Sequence, residues 1–241
     1  MKKILVVGGS NGIGLSIVRS LQGYEKLTII DKVEPDYNFD ERVFFKKKNL
    51  LDEDYSFLND YQDIDTLIIT SGFGEVKSFE NISDEEIIKL LTVNTISTIR
   101  IIKSFYSKLN SEKDFYCAVM GSISGFISSP LFSVYGASKA ALCKFIESVN
   151  TELIMEGSVN QILNVSPGSI KGTKFEGGDN NFEDTMILAK EIIENMVLKQ
   201  DLLIPQYDEV FKNVLKRYHN NYKQFGIESY EYKAKTRIKK P

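Results

Sequence analysis

Short unbroken apolar runs alternate along this chain with longer stretches whose apolar positions recur every three to four residues. Ile4-Leu5-Val6-Val7, Leu27-Thr28-Ile29-Ile30, Val43-Phe44-Phe45 and Thr66-Leu67-Ile68-Ile69 are four such runs. Phe115 to Met120 and Val159 to Val165 are two more. Runs this short, bounded by turn residues, predict strands buried on both faces. Between them, Gly12 to Leu21, about Ser83 to Leu109, and Val134 to about Met155 predict helices. Ser83 and Glu86 make the serine-x-x-glutamate pattern of a capping box, which marks where the second helix begins. This alternation predicts an α/β fold, a doubly wound parallel sheet with helices on both faces. In such sheets ligands sit beyond the carboxyl ends of the strands.

The last third is less regular. Pro167 to Asn181 is rich in glycine and polar residues and reads as a loop. Glu183 to Lys199 predicts a helix and Leu202-Leu203-Ile204-Pro205 a last short strand. Phe211, Val214, Leu215, Tyr218 and Tyr222 then recur at helical spacing. From Gly226 onward Lys233, Lys235, Arg237, Lys239 and Lys240 outnumber Glu228 and Glu231. That composition predicts a solvated or loosely docked tail, with an anion-binding arm as the alternative. No repeat or linker interrupts the chain, so residues 1–225 read as one domain and 226–241 as a basic tail.

Composition narrows the function classes. With 241 residues, 42% of them hydrophobic, the chain has enough apolar material for one sizeable core. Thirty basic residues against 33 acidic ones give a formal charge of -3, which argues against nucleic acid or an anionic membrane as the main partner. Cys117 and Cys143 are too few for a disulfide scaffold, and one histidine, His219, leaves no ordinary zinc site or serine–histidine–aspartate triad. Both cysteines read as buried free thiols and His219 as a solvated helix residue. The apolar run after Met1-Lys2-Lys3 is too short for a signal peptide, and no stretch approaches a membrane span. A cytoplasmic protein is the expectation.

Chemistry gathers at the predicted strand ends. Gly8-Gly9-Ser10-Asn11-Gly12-Ile13-Gly14 follows the first strand and opens the first helix. Glycines there permit backbone angles closed to other residues and let amide N–H groups approach a pyrophosphate. Alone, the loop reads as a nucleotide-binding turn or as a plain tight turn. Asp31 ends the second strand, where a carboxylate can accept both hydroxyls of an adenosine ribose. Lys32 beside it can instead receive a 2′-phosphate, whereas Asn11 offers no charge. The balance favours NAD over NADP.

Tyr135 and Lys139 stand four residues apart near a helix start, on one face. A phenol is a poor acid or base at neutral pH, and a nearby ammonium favours its ionised form. Taken alone the pair is an ordinary surface pair. Ser122 follows a strand 13 residues upstream, and Asn94 lies within the long helix. Together with Gly8, Gly12, Gly14 and Pro167-Gly168, these residues resemble the short-chain dehydrogenase/reductase family in its compact, single-domain form. The resemblance covers about residues 2–170.

It implies a Rossmann-type fold and a nicotinamide-dependent oxidoreductase acting on a carbonyl or secondary alcohol, with no metal. Tyr135 would exchange the proton with the substrate oxygen, and Lys139 would lower the phenol's pKa and hold the nicotinamide ribose. Ser122 would orient the substrate oxygen and Asn94 would support a proton relay. By the same resemblance Asn49 and Leu50 would lie at the adenine edge. Ser71, Gly72, Ile170 and Thr173 would line the cofactor, and the loop of about 168–182 would gate the substrate. Phe126, Phe132, Phe175 and Phe182 would flank its opening. The pattern departs from the family at Val7, at Ile69-Thr70-Ser71-Gly72 where the family has Asn-Asn-Ala-Gly and the Thr70 and Ser71 hydroxyls would substitute for the asparagine contacts, and at Gly172. A homodimer through the helices of Asn94 and Tyr135 follows from the resemblance more readily than a tetramer. The rival readings are a cofactor-sensing protein without chemistry and a sugar-nucleotide epimerase or dehydratase.

Overall fold

Each apolar run becomes a strand of one parallel sheet. In the computed structural model, which describes residues 1–170 and 182–236, the strands are β1 (Lys3–Val7), β2 (Lys26–Asp31), β3 (Val43–Lys47), β4 (Thr66–Ile69), β5 (Tyr116–Met120), β6 (Ile162–Val165) and β7 (Leu202–Leu203). Their order is β3-β2-β1-β4-β5-β6-β7, so the winding reverses between β1 and β4. A crevice opens at such a reversal, beyond the strand ends.

Residues alternate across the sheet. Leu5 and Val7 of β1 join a core with Ile101, Phe105, Leu142 and Ile146 on one face. Ile4 and Val6 join Ile17, Leu188 and Ile192 on the other. The first face is covered by α3 (Ser97–Ser104) and α5 (Ser133–Met155), the second by α1 (Gly12–Ser20) and α6 (Phe182–Val197). Cover on both faces is what makes the strands continuously apolar. The result is a single-domain Rossmann-type fold. No described helix is long and apolar enough to cross a membrane.

Two segments differ from expectation. The long helix is not continuous: α2 (Asp84–Leu91) passes into a π-turn at Thr92–Ile96 before α3, and the chain breaks at Phe105 before α4 (Tyr106–Leu109). The capping box at Ser83 and Glu86 is complete. After a π-turn at Tyr207–Phe211 comes α7 (Lys212–Asn220), and α8 (Tyr222–Thr236) then runs through Gly226, where a tail was expected. Its Lys233 side chain donates to Ser129 and to the Pro130 carbonyl, at 2.7 and 3.0 Å, so the segment is docked.

Candidate active site

The crevice is a cavity of about 530 Å³. Its floor begins at the glycine loop. Gly8 has φ +90°, and a Cβ there would lie 2.4 Å from the Ser71 nitrogen. A Cβ on Gly14 would lie 2.2 Å from the Gly8 oxygen, so only glycine lets the helix start close against the loop. The Thr70 hydroxyl donates to that same oxygen at 2.9 Å, tying β4 to the loop. Asn11 is the N-cap of α1, and its side chain does not cap the helix. Asn11, Gly12, Ile13 and Gly14 open onto the cavity. Ser10 is buried behind them. Its amide donates to the Asp31 carboxylate at 3.1 Å, and its hydroxyl and that of Ser71 have no hydrogen-bond partner among the described residues.

Asp31 ends β2, Lys32 follows it, and Asn49 and Leu50 follow β3, all four outside the walls of this cavity. The Asp31 carboxylate also accepts the Lys32 amide at 2.7 Å, while its carbonyl accepts the Lys48 amide at 2.9 Å. Asn49 is exposed, and Leu50 is buried with its carbonyl accepting the Tyr55 hydroxyl at 2.7 Å.

The catalytic end lies between β5 and α5. Ser122, just past β5, is extended and accepts the Ser124 amide at 3.1 Å. Its hydroxyl also favours the ionised form of the Tyr135 phenol. Phe132 stacks on the Tyr135 ring at 4.3 Å, and a Cβ on Gly74 would lie 2.6 Å from that ring. One turn on, the Lys139 ammonium donates to the Met120 carbonyl at 2.7 Å and lies 5.8 Å from the centre of the tyrosine ring. Asn94 sits below them, fully buried in the π-turn. Its amide donates to the Phe73 carbonyl at 2.9 Å and to Ser138 at 3.1 Å, and its oxygen accepts the Phe73 amide at 3.0 Å. An inserted residue in a helix commonly marks a functional position. Here the turn carries an asparagine that fixes the loop after β4.

Burial governs the protonation of this group. It pushes the Tyr135 phenol up to about 12, against the downward pull of the Ser122 hydrogen bond. It brings the Lys139 ammonium down to about 8. In this geometry loss of hydration, which disfavours the charged form of each group, is the largest influence on both.

The model of the short chain dehydrogenase family matches residues 55–184, more than half of the chain. The chain belongs to that family. An uncharacterized oxidoreductase of Saccharomyces cerevisiae is 25% identical over 71% of this chain and 60% of its own length. A dehydrogenase of Cochliobolus heterostrophus is 29% identical over 66% of this chain and 63% of its own. The chain thus spans about three-fifths of the length of these relatives. Among solved structures, a short chain dehydrogenase from Burkholderia cenocepacia in complex with NADP shares the fold, with a TM-score of 0.74, 17% identity, and cover of 99% of this chain and 98% of that one. One from Streptomyces avermitilis has a TM-score of 0.75 at 18% identity, covering 99% of this chain and all of that one.

In this short chain dehydrogenase the cavity gathers Ser122, Tyr135, Lys139, Gly72, Pro167, Gly168 and Ile170 with the glycine loop. Asn94 and Ser71 stand behind its wall. Thr173 and Phe175 lie outside the described residues. Of the remaining phenylalanines, Phe132 reaches the cavity, Phe126 does not, and Phe182 stacks on Arg19 at 4.2 Å. Both cysteines are buried, and Cys117 is pushed up to about 12 by burial. Sequence reasoning missed Ser229, Tyr232 and Lys233 of α8, which close the cavity's outer end. The half-buried positions Phe225, Ser229 and Lys233 recur every four residues, but only the first is apolar, so hydrophobic periodicity is silent there.

Proposed function

We propose that this protein is a nicotinamide-dependent oxidoreductase that interconverts a carbonyl and a secondary alcohol. The observation that carries the reading is the convergence of Ser122, Tyr135 and Lys139 on one cavity whose other end is the glycine loop and the start of α1. The residues present fit a dinucleotide. Asn11, Gly12, Ile13 and Gly14 at the start of α1 line the cavity, and the Ser10 and Ser71 hydroxyls are buried with no hydrogen-bond partner among the described residues. Asn11, Gly12 and Ile13 would hold the pyrophosphate, Asp31 the adenosine ribose and Lys139 the second ribose. When bound, such a cofactor supplies or accepts the hydride.

The chain's own residues manage the proton. A phenol at about 12 is fully protonated at neutral pH, so Tyr135 is set to donate to a substrate oxygen as charge develops on it. Ser122, which lines the same cavity as Tyr135, would orient that oxygen. Lys139, one turn away, would stabilise the phenolate left behind. Asn94 holds the Phe73 backbone in place beneath them. Asp31 favours NAD, although the Burkholderia cenocepacia relative is a complex with NADP. Exposed Ile88, Ile96, Ile154 and Met155, on and beside the helices of Asn94 and Tyr135, support a homodimer there.

The test is a titration of the purified protein with NADH and separately NADPH, followed by melting temperature and fluorescence, then turnover with simple aldehydes and ketones. A rise in melting temperature with either nucleotide and oxidation of that nucleotide by a carbonyl is the expected result. Binding without turnover across the panel would favour a cofactor sensor. Binding of neither would remove the reading.

A further inference from the structure

We propose that α8 is the outer wall of the substrate compartment and that Ser229 on it sets the length of the substrate, a compact carbonyl compound with an apolar body. The inference rests on the carbonyl reading above and names the size class of the carbonyl compound. Ser122 and Tyr135 line the cavity from the end of β5 and from α5, and Ser229 and Tyr232 line it from α8. Phe73, Val76, Ile127 and Phe132 give the same space apolar walls. Ser229 is half-buried, one turn from Phe225 and one turn from Lys233 on the same face of the helix.

The way from the reacting centre to α8 is short. Phe132 stacks on Tyr135 at 4.3 Å, and the Lys233 nitrogen lies 6.0 Å from the centre of the Phe132 ring. One aromatic ring therefore stands between the phenol and the helix. A Cβ on Gly74 would lie 2.6 Å from the Tyr135 ring and 3.0 Å from Phe132, so backbone closes against both rings from a second side. An apolar wall rewards each methylene that it covers. Once a substrate chain reaches α8, a further methylene must press on the helix or leave the cavity, and overpacking is costly.

The helix is held on both sides of Ser229. Phe225 meets Tyr218 of α7 edge-on, with ring centres 5.7 Å apart, and Glu228 pairs with Arg217. A Cβ on Gly226 would touch Ser128 and Pro130 at 3.7 and 3.9 Å, so α8 lies close against the 128–130 segment. One turn beyond Ser229, Lys233 donates to the Ser129 hydroxyl and the Pro130 carbonyl, at 2.7 and 3.0 Å. Anchors before and after it fix how far the Ser229 side chain stands from the cavity. Serine is small, so this position leaves space that a larger side chain would take from the substrate.

The experiment measures kcat/KM for straight-chain methyl ketones of increasing length, with NADH and NADPH both supplied. In the parent protein it should rise about fourfold per methylene and then fall about tenfold or more beyond one length. Ser229→Phe should move that limit to a shorter ketone and lower the long-to-short ratio of kcat/KM by about 10- to 100-fold. Ser229→Leu should fall between serine and phenylalanine, with melting temperature unaltered in both variants. Ile227→Phe adds the same bulk on the exposed face of α8 and should keep the parent ratio. A ratio unchanged or raised in Ser229→Phe, or lowered equally in Ile227→Phe, would overturn the inference and leave the carbonyl reading standing. A parent whose kcat/KM climbs at every length would do the same. Turnover of no ketone would remove both readings.

Discussion

Lys139→Met should change how stability depends on pH, in a direction set by burial. The free lysine value is 10.5 and the side chain here sits at about 8, because desolvation outweighs its one hydrogen bond to Met120. Between those two values the unfolded chain binds more protons than the folded one, so stability rises with pH across that window and falls as pH drops through it. Keeping the ammonium buried at pH 7 costs about 3 kcal/mol, and at pH 10 about 1 kcal/mol. Methionine removes that cost and keeps the stem, while loss of the bond to the Met120 carbonyl costs about 1 kcal/mol at either pH. The variant should therefore be more stable than the parent by about 2 kcal/mol at pH 7 and near parity at pH 10. Tyr135, whose raised value makes stability fall above pH 10, is common to both proteins and cancels in the difference. Urea unfolding of parent and variant without nucleotide, at pH 7, 8.5 and 10, reads the gap. A gap that stays constant over that range would refute the desolvation argument.

Three further outcomes are expected. Tyr135→Phe keeps the ring that Phe132 stacks on, so melting temperature and nucleotide binding should hold, while carbonyl turnover falls by about 10²- to 10⁴-fold in steady-state kinetics. Asp31→Ala removes the acceptor of the Ser10 amide and should lower stability by about 1 kcal/mol. In the same variant nucleotide titration should show NADH weakened more than NADPH; equal weakening would argue against a ribose role. Gly14→Ala places a methyl 2.2 Å from the Gly8 oxygen and should cost at least about 3 kcal/mol in chemical denaturation, as overpacking against backbone does.

The sequence speaks most clearly where one physical demand decides the residue. Ile4 to Val7 and Thr66 to Ile69 must be apolar at every position because both faces are covered, and the structure makes them β1 and β4. Gly8 and Gly14 are required by contacts that a Cβ would violate, and Ser122, Tyr135 and Lys139 meet in one cavity. It is silent where a demand is cooperative. The π-turn at Thr92–Ile96 has no pattern of its own, since Val93, Thr95 and Ile96 suit an ordinary helix; the turn serves the bonds of Asn94 to Phe73 and Ser138, partners 21 and 44 residues away. Helix α8 looked like a tail because beyond Phe225 its contacts come from Gly226 and Lys233 rather than from a repeating apolar face. Thr70 is an intermediate case. Its departure from the family's asparagine was visible, and its bond to the Gly8 oxygen shows how a hydroxyl supplies the missing tie.

The opposed shifts of Tyr135 and Lys139 also constrain the direction of proton traffic. Both charged forms are penalised, so the site at neutral pH holds a neutral phenol beside a lysine that is easily discharged. A neutral phenol is a proton donor without further preparation, which favours carbonyl reduction. The reverse reaction needs phenolate, and the penalty on it must first be offset by positive charge or hydrogen bonds brought close to the oxygen. Alcohol oxidation should therefore climb with pH well beyond neutrality, while carbonyl reduction should stay flat until the ammonium at about 8 begins to discharge. Paired pH profiles of the two directions, measured with one substrate pair, would show this separation. Superimposable profiles would mean that burial does not set the phenol in the working enzyme.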